Sequence, residues 1–174
     1  MPISTLKSWL GLDRTDTSAP APAPLRDVVE ALDQLEPARA RHLARFAYLL
    51  GRVAHADRDV SVQETRAMEA LVMEQGSLEA GVAVLVVSLA KSSNLLFGGT
   101  ADYLVAQEFA SNASYDEKLA LARCLFAVAS TDASISMAEE TEIHRITNQL
   151  RIQPQDLTTL RIQHRRFLPG LTGQ

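Results

Sequence analysis

Apolar residues along this chain recur at intervals of three and four, and no segment alternates with period two over more than a few positions. That pattern predicts helices and no strands. Residues 1–12 read as a short amphipathic helix, with Ser4 as N-cap and Ile3, Leu6, Trp9 and Leu10 on one face. Alone it is marginal, because helices shorter than about 12 residues rarely hold in water. Alternating Ala and Pro make residues 13–24 an extended linker. The body, residues 25–168, opens with LRDVVEALDQL, stopped at Glu36-Pro37. A second helix carries Leu43, Phe46, Ala47, Leu50, Val53 and Ala54, and a third opens at Ser61 and closes at Gly76. Ser77 is expected to start an apolar helix that runs to about Leu96, with AGVAVLVVSLA apolar on all sides and central to the core. Gly98-Gly99 is read as a break before the shorter helix GTADYLVAQEFA. Ser114 with Glu117, Ser136 with Glu139, and Pro154 with Asp156 mark three more helix starts. Residues 169–174 form a tail. The class is all-α, a bundle of about seven to eight helices.

Composition narrows the function classes. Hydrophobic residues are 47% of the 174, enough for a core, and aromatics only 5%, which favours helix over sheet. The net charge of -4, with no basic tract, argues against nucleic acid as a partner. The single cysteine, Cys124, sits in LALARCLFAVA and reads as a buried thiol, which fits a reducing cytoplasm. The N-terminal segment has no secretory pattern, and the apolar stretch 80–90 is too short to span a bilayer, which takes about 20 residues. The location expected is cytoplasmic, with the inner-membrane surface as a peripheral alternative.

The chain writes one pattern twice. VAHADRDVSVQE and VASTDASISMAE align without a gap, at the offset of 75 that separates Asp57 from Asp132. Leu50 meets Leu125, Val53 and Ala54 meet Val128 and Ala129, Val60 meets Ile135, Ser61 meets Ser136, and Glu64 meets Glu139. Each copy is a helix, a tight turn and a helix. Neither hairpin can bury its apolar face alone, so the two are expected to pack together with their turns as neighbours on one rim. The repeated A-x-x-D-x-x-[V/I]-S-x-x-E between helices resembles the TerB family, named for bacterial tellurite resistance, and a similar fold in the N-terminal region of DjlA-type co-chaperones. The resemblance covers roughly residues 25–167. Family members often carry Asp-Gly at the turn, where this chain has Asp57-Arg58 and Asp132-Ala133. The resemblance implies a bacterial stress or metal-oxyanion module that binds metal or protein and is not an established enzyme.

The acids of the two turns divide into two kinds. Ser61 with Glu64 and Ser136 with Glu139 have capping-box spacing, which explains those four residues structurally. Asp57 and Asp132 lie where a helix ends, beside unpaired carbonyls and a partial negative charge. A carboxylate there either bonds backbone amides of the turn or helps to hold a cation. Oxygen-only surroundings select hard ions, calcium or magnesium. The candidate ligands are Asp57, Asp59 and Glu64 from the first turn and Asp132, Ser134 and Glu139 from the second. Neither turn has EF-hand spacing. His55 near two acids has no second histidine at ligand spacing, and its equivalent is Ser130.

No nucleophile–base pair or phosphate-binding glycine loop stands out, so catalysis is not expected. Two readings remain: a module that binds a divalent cation and a protein partner, and a metal-free interaction scaffold or co-chaperone-like adaptor. The N-terminal face of Ile3, Leu6, Trp9 and Leu10 is a candidate docking segment for a partner or a membrane surface, or it folds back onto the body. With one lysine it has little pull on anionic lipid, so the membrane is the less favoured target.

Overall fold

A computed structural model describes Leu10, Glu30 and residues 33–57 and 60–169. Most of the expected first helix, and the expectations at Ile3, Leu6, Trp9 and Asp59, lie outside these residues. Among the described residues there are six α-helices of more than one residue and a single turn of 3₁₀ helix, with no strand. They are α1 (Pro37–Ala54), α2 (Val62–Gly76), α3 (Ala80–Asn112), α4 (Tyr115–Ala129), α5 (Met137–Gln149) and α6 (Pro154–Gln163), followed by the 3₁₀ turn Arg165–Phe167.

The helix starts follow capping chemistry. Glu36 accepts hydrogen bonds from the amides of Ala38 and Arg39, with Pro37 in the first turn of α1. Ser61, Ser114 and Ser136 each close a full capping box with the glutamate three residues on. Ser77 does not begin a helix. It caps the end of α2 in the left-handed region, φ 49°, and α3 starts after Glu79 without a side-chain cap.

Two expectations about the middle of the chain are corrected. The segment 80–90 is not the centre of the core: Ala83, Val86, Val87 and Ala90 are buried, whereas Gly81, Val84 and Ser88 face out. The central helix is α1, buried on every side from Leu43 to Ala54, and its largest packing partner is α3. Sequence hydrophobicity hid this because α1 carries Arg45 and Arg52, both buried. Nor does Gly98-Gly99 break the chain. α3 runs straight through as one helix of 33 residues. Glycine weakens a helix interior by only about 1 kcal/mol, less than neighbouring turns supply through packing. A Cβ at Gly99 would meet nothing, so no close approach requires glycine there.

A polar clasp joins the two halves. Arg52 of α1 donates from Nε to Glu142 of α5 at 2.7 Å, and from Nη1 to Gln149 and to the Asp102 carbonyl of α3, each at 3.1 Å. Arg145 binds the other oxygen of Glu142 at 2.7 Å. The Tyr48 hydroxyl donates to Asp102 at 2.7 Å, and burial together with that carboxylate pushes its ionisation far up. A buried guanidinium is tolerated only when its donors are met in this way. Cys124 is buried as expected, and burial pushes its thiol up to about 12, so it is unreactive near neutral pH.

Leu10 is helical and buried in the main core cluster. Of the candidate docking residues Ile3, Leu6, Trp9 and Leu10, the one described residue is covered by the protein itself, and the other three lie outside the described residues. Among the described residues no helix is long and apolar enough to cross a membrane.

Candidate functional site

The two turns are built alike, bond by bond. In the first, the His55 amide bonds the Gly51 carbonyl at 2.9 Å and the Ala56 amide bonds Val53 at 3.0 Å. In the second, Ser130 bonds Phe126 at 3.0 Å and Thr131 bonds Val128 at 3.2 Å. The helix-ending residues share a backbone conformation, φ -88° and ψ -2° at His55 against -89° and 2° at Ser130. The serines that open the next helices match equally well, φ -67° and ψ 160° at Ser61 against -69° and 159° at Ser136. In each box the serine amide donates to the glutamate at 2.7 Å. The glutamate amide donates back to the serine hydroxyl, at 3.0 Å for Glu64 and 3.1 Å for Glu139.

The turns are neighbours on one rim. The Ser61 hydroxyl lies 3.3 Å from Oδ1 of Asp132 and donates to it across the pseudo-symmetry axis. Glu64 and Glu139 therefore feel the charges of acids on the other turn. Glu64 and Glu139 are each only 4% exposed, while Asp57 and Asp132 stand at the surface. Burial drives the Glu139 carboxyl up to about 7; the Ser136 bonds oppose this, and the charges of Glu64 and Asp57 add to it. Burial likewise raises Glu64, with the Ser61 bonds opposing and Asp132 and Asp57 adding. Two buried acids at helix N-termini, where the dipole favours the anion, would ordinarily be held down. Their upward shift reflects both desolvation and mutual repulsion.

Lys91 of α3 donates to the Thr65 hydroxyl at 3.2 Å, and its charge helps hold His55 in the neutral form, after burial as the main cause. His55 Nε2 is buried with no hydrogen-bond partner among the described residues.

The sequence-predicted ligands fall into three groups. Asp57, Glu64, Asp132 and Glu139 are brought together. Ser134 is exposed at the edge of the second turn, and Asp59 lies outside the described residues. Among the described residues no three His, Cys, Asp or Glu side chains stand close enough to grip an ion as they are placed. The donor chemistry fits a hard cation, since every candidate atom is oxygen and the two buried carboxylates repel one another.

Sequence reasoning did not foresee that Ser61 would reach across to the other repeat. Nor did it find the clasp. Its one signal was an arginine, Arg52, embedded in the apolar run LLGRVA.

No curated protein and no solved structure matches the chain. A family model described as "Tellurite resistance protein TerB" matches residues 42–162, well over half of the chain and both acidic turns, and the chain belongs to the TerB family.

Proposed function

We propose that the protein is a non-catalytic module of a bacterial stress response that binds a divalent cation, calcium or magnesium, between its two acidic turns and presents the ordered rim to a protein partner. The observation that carries this reading is the convergence of four carboxylates from the two repeats, cross-linked by Ser61 and Asp132, with Glu139 forced up to about 7. A divalent ion offsets the repulsion that adds to burial in raising the two glutamates. The apolar residues that open α2 and α5, Val62 and Met137, occupy equivalent positions and are 62% and 74% exposed, which gives a partner greasy footholds beside the acids.

Calorimetry with calcium and with magnesium tests the cation half. Wild type should bind one of them with a dissociation constant below about 1 mM, and Asp57→Asn should weaken binding about tenfold. If neither ion binds below millimolar, the reading fails.

One observation favours a second reading, a metal-free scaffold. Each glutamate already accepts the serine amide of its capping box on one carboxylate oxygen. Thermal melts separate the two, because an ion that binds only the folded chain must raise the melting temperature relative to a chelator.

A further inference from the structure

At the other end of α1, about 20 Å along the helix from the acidic turns, a cleft of about 1190 Å³ opens between the first half of α1, the second half of α3 and the start of α4. Its wall is more cationic than a chain of net charge -4 would suggest. Arg41 and Arg45 lie one helical turn apart on the same face of α1, and both line the cleft.

Arg45 is unusual. It is only 6% exposed, and its ion pair with Glu108, made through Nη2, is loose at 3.5 Å. Its Nε–H is shut from solvent with no hydrogen-bond partner among the described residues. An unmet donor on a buried charged group is costly, and native structures rarely leave one without a purpose. Burial lowers the affinity of Arg45 for its proton, and repulsion from Arg41 lowers it further against the pull of Glu108. The two acids of the cleft are already engaged. Glu117 closes the Ser114 box, and Glu108 faces Arg45 and Asn112. Arg41, exposed at the mouth, makes no ion pair among the described residues.

The floor is aromatic. The His42 ring lies tilted against Phe109, with centroids 5.1 Å apart, and Phe46 completes the group at 6.3 Å from His42. Burial holds His42 in its neutral form, Arg45 acting the same way and Glu117 opposing. The cleft thus sets a pair of guanidiniums, one of them short of an acceptor, beside a half-buried His42 ring that packs on the buried Phe46 and Phe109.

We propose that this cleft binds a small organic anion, its carboxylate or phosphate group resting on Arg41 and Arg45 and its apolar body on the half-buried His42 ring. Arginine pairs suit such groups because their planar forks match two oxygens at once. The volume admits a ligand of metabolite size. This site shares no residue with the acidic turns and stands whether or not they hold a cation.

The test uses the full chain with chelator present, so that the acidic turns are silent. Inorganic phosphate, phenyl phosphate and benzoate are titrated separately at constant ionic strength while backbone amide NMR signals are followed. Saturable shifts at Arg41, His42, Arg45 and Asn112 are expected, with at least one aromatic anion binding more tightly than inorganic phosphate. Whichever head group wins, phosphate or carboxylate, names the ligand's class. Arg45→Gln should abolish saturation. Because Arg45 is buried, Arg41→Gln at the exposed position serves as the second variant and should weaken binding about tenfold. Shifts that rise linearly without saturating, aromatic anions no tighter than phosphate, or Arg41→Gln binding like wild type would each overturn the proposal.

Discussion

The two acidic turns share a backbone, yet they do different work. Their caps and helix ends match in backbone angles and hydrogen bonds among the described residues, but their surroundings do not. The second turn is covered from behind, where the Ile135 amide donates to the Phe167 carbonyl at 2.6 Å and Ile135 is buried. Its counterpart Val60 is only partly buried. At the helix ends, Ser130 satisfies its hydroxyl on the Phe126 carbonyl at 2.7 Å, whereas His55 buries a ring nitrogen that has no partner among the described residues. The repeat fixes the fold of each turn, and the differences decide which turn strains and which one reaches out.

The largest difference lies behind the turns. Arg52 in the first repeat corresponds to Ala127 in the second, and Glu142 in the second corresponds to Ala67 in the first. The clasp therefore exists once, between unlike partners, and it makes the halves complementary instead of interchangeable. Glu142→Ala should destabilise the fold by about 3–5 kcal/mol, because it leaves the Arg52 guanidinium buried without its carboxylate. Ala67→Glu, at the equivalent place, should give no matching gain. Denaturant unfolding measures both. A loss under about 1 kcal/mol for Glu142→Ala would mean that the clasp is solvated and the halves are held by apolar packing alone.

The acids come next. Glu139 sits at about 7 in the folded chain, against about 4.3 in an unfolded one. Between those values the folded protein keeps a proton that the unfolded protein has lost. With cations chelated, stability should therefore be greatest near pH 4–5 and fall as pH rises through 7, by at most about 3 kcal/mol. Glu64 is shifted in the same direction. Glu139→Gln should flatten the profile more than Glu64→Gln, which makes the asymmetry of the turns visible in one set of melts. A profile that rises from pH 5 to 8 would show that the carboxylates are not in conflict. Adding calcium or magnesium should restore stability at the alkaline end if the proposed cation site is real.

A smaller effect isolates the contact between the turns. Removing either serine cap should cost about 1 kcal/mol. Ser61→Ala also removes the hydrogen bond to Asp132, so it should cost about 0.5 kcal/mol more than Ser136→Ala. A double-mutant cycle of Ser61→Ala with Asp132→Asn should show coupling of that size. If the coupling is nil, the turns are adjacent but energetically independent.

Much of this arrangement was legible in the sequence, and the rest was hidden for identifiable reasons. The offset of 75 and the Ser-x-x-Glu spacing are local signals, and both the helix starts and the pairing of the turns follow from them. Burial is not local. Hydrophobicity pointed to 80–90 as the centre, but a helix with two arginines took that place because its charges find partners on α3 and α5, distant in sequence. The glycine pair at 98–99 carries a true propensity signal, and packing along α3 overrides it. The upward shift of Glu139 arises from burial and from two other acids, Glu64 and Asp57, none of which a one-dimensional pattern shows.

The smallest predicted effect lies at a single backbone angle. Ala133 follows Asp132 in the second turn, at the position where family members often place glycine, and it adopts φ 61°. Left-handed backbone costs a residue with a Cβ about 1–2 kcal/mol. Ala133→Gly should relieve that strain but return about 0.4–1 kcal/mol to the unfolded chain as conformational freedom. The net expectation is a modest stabilisation of about 0.5 kcal/mol, read as a small rise in melting temperature. If Ala133→Gly instead destabilises by 1 kcal/mol or more, the turn is held by contacts to the alanine methyl, and the second turn is a packed corner, not a strained one. Because the Ser61–Asp132 bond depends on how this turn is aimed, the same variant should leave that coupling unchanged only if glycine keeps the left-handed angle.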